Sequence, residues 1–157
     1  MQQPNAFKVL RILHTALLIG MAMFNIVALV FMPQGIGGKA DESFQRIFQI
    51  VCVLVSATSL IGGFNIFKKR ILAARNDMGP GEQRMELYRA ACILWWALIE
   101  GPGLLAAIGF MLTHNYAFFA LSLFHLLCLL VFTPRKANII VLLNLNSDEV
   151  TRLEGKA

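Results

Sequence analysis

Four apolar runs with very little between them limit what this chain can fold into. They cover about 9–32, 44–67, 89–113 and 117–132. Crossing the roughly 30 Å hydrocarbon core of a bilayer takes a helix of about 20 apolar residues. A chain in lipid must satisfy its backbone polar groups internally, so each run is expected to be a helix. Hydrophobic residues make up 57% of the chain, above the roughly 45–50% of a soluble domain. The fold class expected is therefore all-α: an integral membrane protein with four transmembrane helices in two tandem hairpins. A four-span transmembrane domain, 1–133, would precede a short cytoplasmic or interfacial C-terminal segment, 134–157. The uncharged part of the first run, Ile12 to Met32, follows Lys8 and Arg11, as a signal peptide would. It exceeds the usual apolar core of about 7–15 residues and lacks a clean A-x-A site, so it reads as a retained span.

The basic residues set the orientation. The net charge of +5 comes from 14 Lys and Arg against 9 Asp and Glu. Lys8, Arg11, Lys68, Lys69, Arg70, Arg75, Arg84, Arg89, Arg135 and Lys136 all fall on one side of the four crossings, and Lys39 and Arg46 on the other. Loops rich in Lys and Arg stay in the cytoplasm. Both termini and the loop around Gly79 are thus expected on the cytoplasmic side of the cytoplasmic (inner) membrane. Because the charge marks span ends, the partner it implies is the lipid bilayer and not nucleic acid.

Local signals place the breaks. Pro33, Gln34, Gly35, Ile36, Gly37 and Gly38 end the first helix, and Asp41, Glu42 and Ser43 offer caps for the second. Gly79-Pro80-Gly81 forces a turn, His114-Asn115 makes a very short one, and Thr133-Pro134 stops the fourth span. Asn146 or Ser147 can cap a last short helix. The second span continues past the lipid, where residues 69–76 add roughly 12 Å of helix. This cytoplasmic hairpin, 68–90, is the candidate docking surface for a cytoplasmic or membrane protein partner.

The sharpest chemical signal is Glu100, in the middle of the third run and directly followed by Gly101-Pro102-Gly103. An ionisable group at mid-depth is costly and marks a functional site. Pro102 has no N–H for the Leu98 carbonyl, so a helix bend is expected over Gly101, Pro102 and Gly103. His125 lies about 6 Å from Glu100 in depth, counting along both helices from their connecting turn. Ser56 and Ser59 share a face of the second span with Cys52 and Gly63. Glu100, His125, Ser56 and Ser59 are the candidate ion-binding residues. Ala16 and Gly20, and likewise Ala97 and Gly101, repeat a spacing that lets helices approach closely in lipid, which points to a homo-oligomer. Asn25 is expected to bridge helices, and His14 to extend with Arg11 toward the basic interface. Cys52, Cys92 and Cys128 each lie in an apolar run, without metal-ligand spacing.

Residues 16–20, ALLIG, align with 97–101, ALIEG, which places Ile19 opposite Glu100 and Met21 opposite Pro102. A tandem pair of hairpins with the carboxylate only in the second resembles the duplicated proteolipid subunits of rotary ATPases. There the ion-binding carboxylate is followed by Pro and Gly in a small-residue helix, an order echoed by Glu100, Pro102 and Gly109. The resemblance, mainly over the third span, implies a ring of subunits in which Glu100 takes and releases a proton or Na⁺. The chain departs from that family in lacking a run of alternating glycines in its first span and in the orientation of its termini.

No nucleophile–base set, HExxH pair, Walker loop or dinucleotide fingerprint occurs, so neither an enzyme nor a cofactor is expected. Two readings fit the residues. In one, an oligomeric protein uses Glu100 to bind a proton or cation, in ion translocation or a ring-like rotor or channel. In the other, a non-transporting assembly subunit holds partners through its cytoplasmic hairpin and tail, and Glu100 is a hydrogen-bonding group between helices.

Overall fold

The computed structural model describes residues 5–31 and 40–155. Met32, the loop containing Pro33 and Gly37, and Lys39 lie outside the described residues. Among the described residues six helices follow in order: α1 (Ala6–Phe31), α2 (Glu42–Asn76), α3 (Gly81–Thr113), α4 (Tyr116–Val131), α5 (Lys136–Leu143) and α6 (Ser147–Leu153). Among the described residues there is no strand.

The helix ends follow the local chemistry. The Asp41 side chain accepts a hydrogen bond from the Phe44 N–H at 2.7 Å and opens α2. Helix α2 then runs unbroken to Asn76, well beyond its apolar stretch. His114 takes a left-handed conformation, φ 55°, and its N–H donates to the Phe110 carbonyl at 2.8 Å, closing α3. The Asn115 side chain then caps α4 by accepting from the Ala117 N–H at 2.9 Å. Helix α3 is continuous through Pro102.

Helices α1, α2 and α3 are each long and apolar enough to cross a membrane. Helix α4 has 16 residues, which is about 24 Å of helix. It reaches the length of a fourth crossing only together with α5, which is bent from it by 67°.

Helix α3 is the hub, packed against α1, α2 and α4, whereas α1 and α2 scarcely touch. Glycines make the close approaches. A side chain at Gly63 would lie 2.9 Å from Leu98 Cδ1, and one at Gly109 would lie 2.7 Å from Phe118 Cδ1. Near the basic end, the Trp95 ring stacks on Phe67 at 5.7 Å and meets Phe132 edge-on at 5.2 Å. Toward the other end, Phe110 and Phe118 pack with Ala28 and Cys52. Because α2 stands away from α1, α3 keeps one open face. Ile93, Ala97, Gly101 and Ile108 are exposed along it.

The C-terminal segment folds back onto the start of α3. A capping box on Asn146 and Glu149 opens α6. Glu149 accepts a hydrogen bond from Arg84, whose Nη1 also donates to the Leu143 and Asn144 carbonyls at 2.6 and 3.1 Å. Arg152 pairs with Glu82 at 3.0 Å, and Lys136 pairs with Glu154. Part of the hairpin surface expected to hold a partner is therefore covered by the chain's own tail. The extension of α2 remains exposed at Lys68, Lys69, Leu72 and Arg75.

Candidate functional site

Two separate polar constellations occupy the middle of the bundle. The first is buried. Ser56 on α2 and His125 on α4 meet at 2.6 Å between Oγ and Nε2. His125 is fully enclosed, and its Nδ1 has no hydrogen bond of good geometry, with the Ile99 carbonyl as a weaker electrostatic partner. Gly103 makes room for this contact. A side chain there would fall 2.8 Å from His125 Cβ and 2.1 Å from Met21 Cε. The small residues beside Pro102 are thus divided, because Gly103 admits α1 and α4 while Gly101 faces open space. Ser122, one turn before His125, is also fully buried, and its hydroxyl is unpaired.

The second constellation is Glu100. It is half-buried, and among the described residues no hydrogen bond or ion pair engages it. Trp96 and Gly103, on the same side of α3, pack against α1 through His14 and Met21. Glu100 therefore stands at the edge of the α1–α3 seam, next to the open face that carries Ala97 and Gly101. Of the four candidate ion-binding residues, the fold joins Ser56 to His125. Ser59 is half-buried one turn away, and Glu100 lies on a different flank of α3.

Two expectations need correction. His14 does not extend to the interface. It is buried, its Nε2 lies 2.9 Å from the Leu129 carbonyl, and its ring meets Trp96 edge-on at 4.9 Å. The physical reason is that α4 ends at Val131. Its last carbonyls have no donor within the helix, and an imidazole from α1 supplies one. Asn25 does not bridge helices, since its side-chain amide donates to the Met21 carbonyl of its own helix at 2.9 Å.

Sequence reasoning also missed the Arg84–Glu149 lock, although Asn146 followed three residues later by Glu149 is a capping-box signature. The Asn146 N–H, with help from Arg84, holds the Glu149 carboxyl below the usual carboxylate range despite its burial.

An all-helical fold with several apolar helices of membrane length, and buried polar groups at mid-depth, fits the class of integral membrane proteins. Beyond that class, no protein family, curated protein or solved structure matches this chain.

Proposed function

We propose that this is a self-associating protein of the cytoplasmic membrane in which Glu100 binds and releases a proton or a monovalent cation. Both termini and the turn before Gly81 lie in the cytoplasm in this reading. Helix α4, extended by α5, makes the fourth crossing, so the connectivity is that of two tandem hairpins. The observation that carries the reading is the unanswered carboxylate. Ser56 and His125 Nε2 engage each other, yet Glu100 has no partner among the described residues and borders a strip of small exposed residues. A helix of a second copy, laid on Ala97 and Gly101, would cover Glu100 and turn it inward, where small-residue packing in lipid is strongest. A covered carboxylate then has to take a proton or a cation.

A second reading rests on the exposed extension of α2. Its Lys68, Lys69, Leu72 and Arg75 form a cationic and apolar surface that suits an acidic protein partner of an assembly subunit.

Proteoliposomes decide between the two readings. The proposal expects cation or proton flux from the wild type and its loss in Glu100→Gln, which keeps shape and hydrogen bonding. Equal flux from both proteins, or none from either, rejects ion binding as the function and leaves the assembly subunit.

A further inference from the structure

At the basic end of the bundle, the start of α1 and the α4–α5 break enclose a cleft of about 510 Å³. Its lining includes Lys8, Arg11, Arg135, Lys136 and Thr133, with Phe7 on its apolar side. Three cations around the start of α3 are answered: Arg84 by Glu149, Arg89 by Glu86, and Arg152 by Glu82. Lys136 pairs with Glu154 and lies 5.8 Å from the centre of the Phe7 ring. For Lys8, Arg11 and Arg135, no anionic partner occurs among the described residues. Three cations facing one cleft, with no anionic partner among the described residues, repel one another unless an anion sits between them.

A second groove, of about 500 Å³, begins at the same Lys8 and Arg11. It continues along α1 over Ile12, Thr15, Ala16 and Ile19, away from the charged end and into the apolar span. A cationic cup continuing into an open apolar groove on the face of α1 has the shape of one molecule class, with an anionic head and a hydrocarbon tail. We infer that this cleft is a binding site for an anionic phospholipid of the cytoplasmic leaflet. Lys8, Arg11 and Arg135 hold the phosphate, Thr133 and Lys136 border it, and an acyl chain lies along Ile12, Ala16 and Ile19. Basic pockets between transmembrane helices on the cytoplasmic side suit such head groups. The bound lipid would tie the start of α1 to the α4–α5 break, two segments that share no ion pair. The inference does not depend on Glu100.

Native mass spectrometry of the full chain in a mild non-ionic detergent tests it. Phosphatidylglycerol, phosphatidylcholine with the same chains, and glycerol 3-phosphate are titrated in turn. The expected result is one phosphatidylglycerol retained per chain, at least about tenfold tighter than phosphatidylcholine and not displaced by excess glycerol 3-phosphate. Each basic residue near a leaflet contributes a few-fold to such binding, so Lys8→Gln/Arg11→Gln should weaken it by about 10- to 30-fold. The charge-matched pair Lys69→Gln/Arg70→Gln should change it by less than about threefold. Ala16→Phe, which fills the groove with every cation in place, should weaken it as well, and it decides the matter alone should the Lys8/Arg11 variant fail to fold. The inference is overturned by equal retention of the two lipids, by equal losses in the two charge variants, or by wild-type binding in Ala16→Phe. Displacement by glycerol 3-phosphate would show a free-phosphate site and overturn it too.

Discussion

Removing the Glu149 carboxylate tests how the C-terminal segment is held. In the folded chain it accepts from Arg84 and, at 3.0 Å, from the Asn146 N–H. Glu149→Ala leaves the Arg84 side chain, only 12% exposed, without its counter-charge. Breaking one side of a buried ion pair costs about 3–5 kcal/mol. Arg84 keeps its bonds to the Leu143 and Asn144 carbonyls, and Asn146 still accepts from the residue 149 N–H. The expected cost is therefore smaller, about 2–3 kcal/mol, or roughly 30- to 150-fold in the local opening equilibrium. The loss should appear in α6 and not in the spans, because the lock joins only α6 and the start of α3. Amide hydrogen exchange reads it directly, with faster exchange over 147–153 and little change over 89–113. The pH dependence follows from the lowered carboxyl pKa. The lock is complete above the unfolded carboxylate value, about 4.3, and is lost as pH falls through the lower folded value. Exchange in α6 within about threefold of wild type would refute the assignment of the lock to this carboxylate.

Gly103→Ala should destabilise the bundle by about 1–3 kcal/mol, since the new methyl meets His125 Cβ as well as the flexible end of Met21. Thermal unfolding in detergent reads this against Gly62→Ala, which meets nothing within 4 Å. Ser56→Ala should cost about 1 kcal/mol by leaving His125 Nε2 without its partner. A melting temperature equal to that of Ser59→Ala would count against that bond. Gly101→Leu, at a position open in the single chain, should lower the native mass in mild detergent while the helix content stays constant. An unchanged mass would rule out the Ala97–Gly101 strip as the contact between copies.

What could be read from the sequence divides along a physical line. Helix ends depend on a few neighbouring residues, so Asp41, Gly79-Pro80-Gly81, His114-Asn115 and Asn146 mark them correctly. Which face of a helix meets which neighbour depends on the whole bundle. Gly62 and Gly63 are adjacent in sequence, yet one faces open space and the other lies against Leu98 and Trp95. His14 read as an interfacial group because Arg11 precedes it by one turn. Its true partner, the Leu129 carbonyl, lies at the far end of the spanning domain and no local pattern points to it. Glu100 stands out in the sequence through its cost in lipid, but its separation from His125 appears only once α3 is seen to carry three neighbours.

That arrangement also separates the polar groups by role. A hub helix packed on three sides encloses whatever its partners bring to it, so His14, Asn25, Ser56 and His125 are each hydrogen-bonded inside the chain. Among the described residues its fourth side has no helix, because α1 and α2 stand apart. The costliest residue of the spans, Glu100, lies beside that side, where Ala97 and Gly101 leave room for something to approach. The enclosed groups include Ser122, whose hydroxyl is unpaired, and Glu100 is not beside them. On the reading proposed above, its place at the open edge makes a second copy laid on Ala97 and Gly101 its partner.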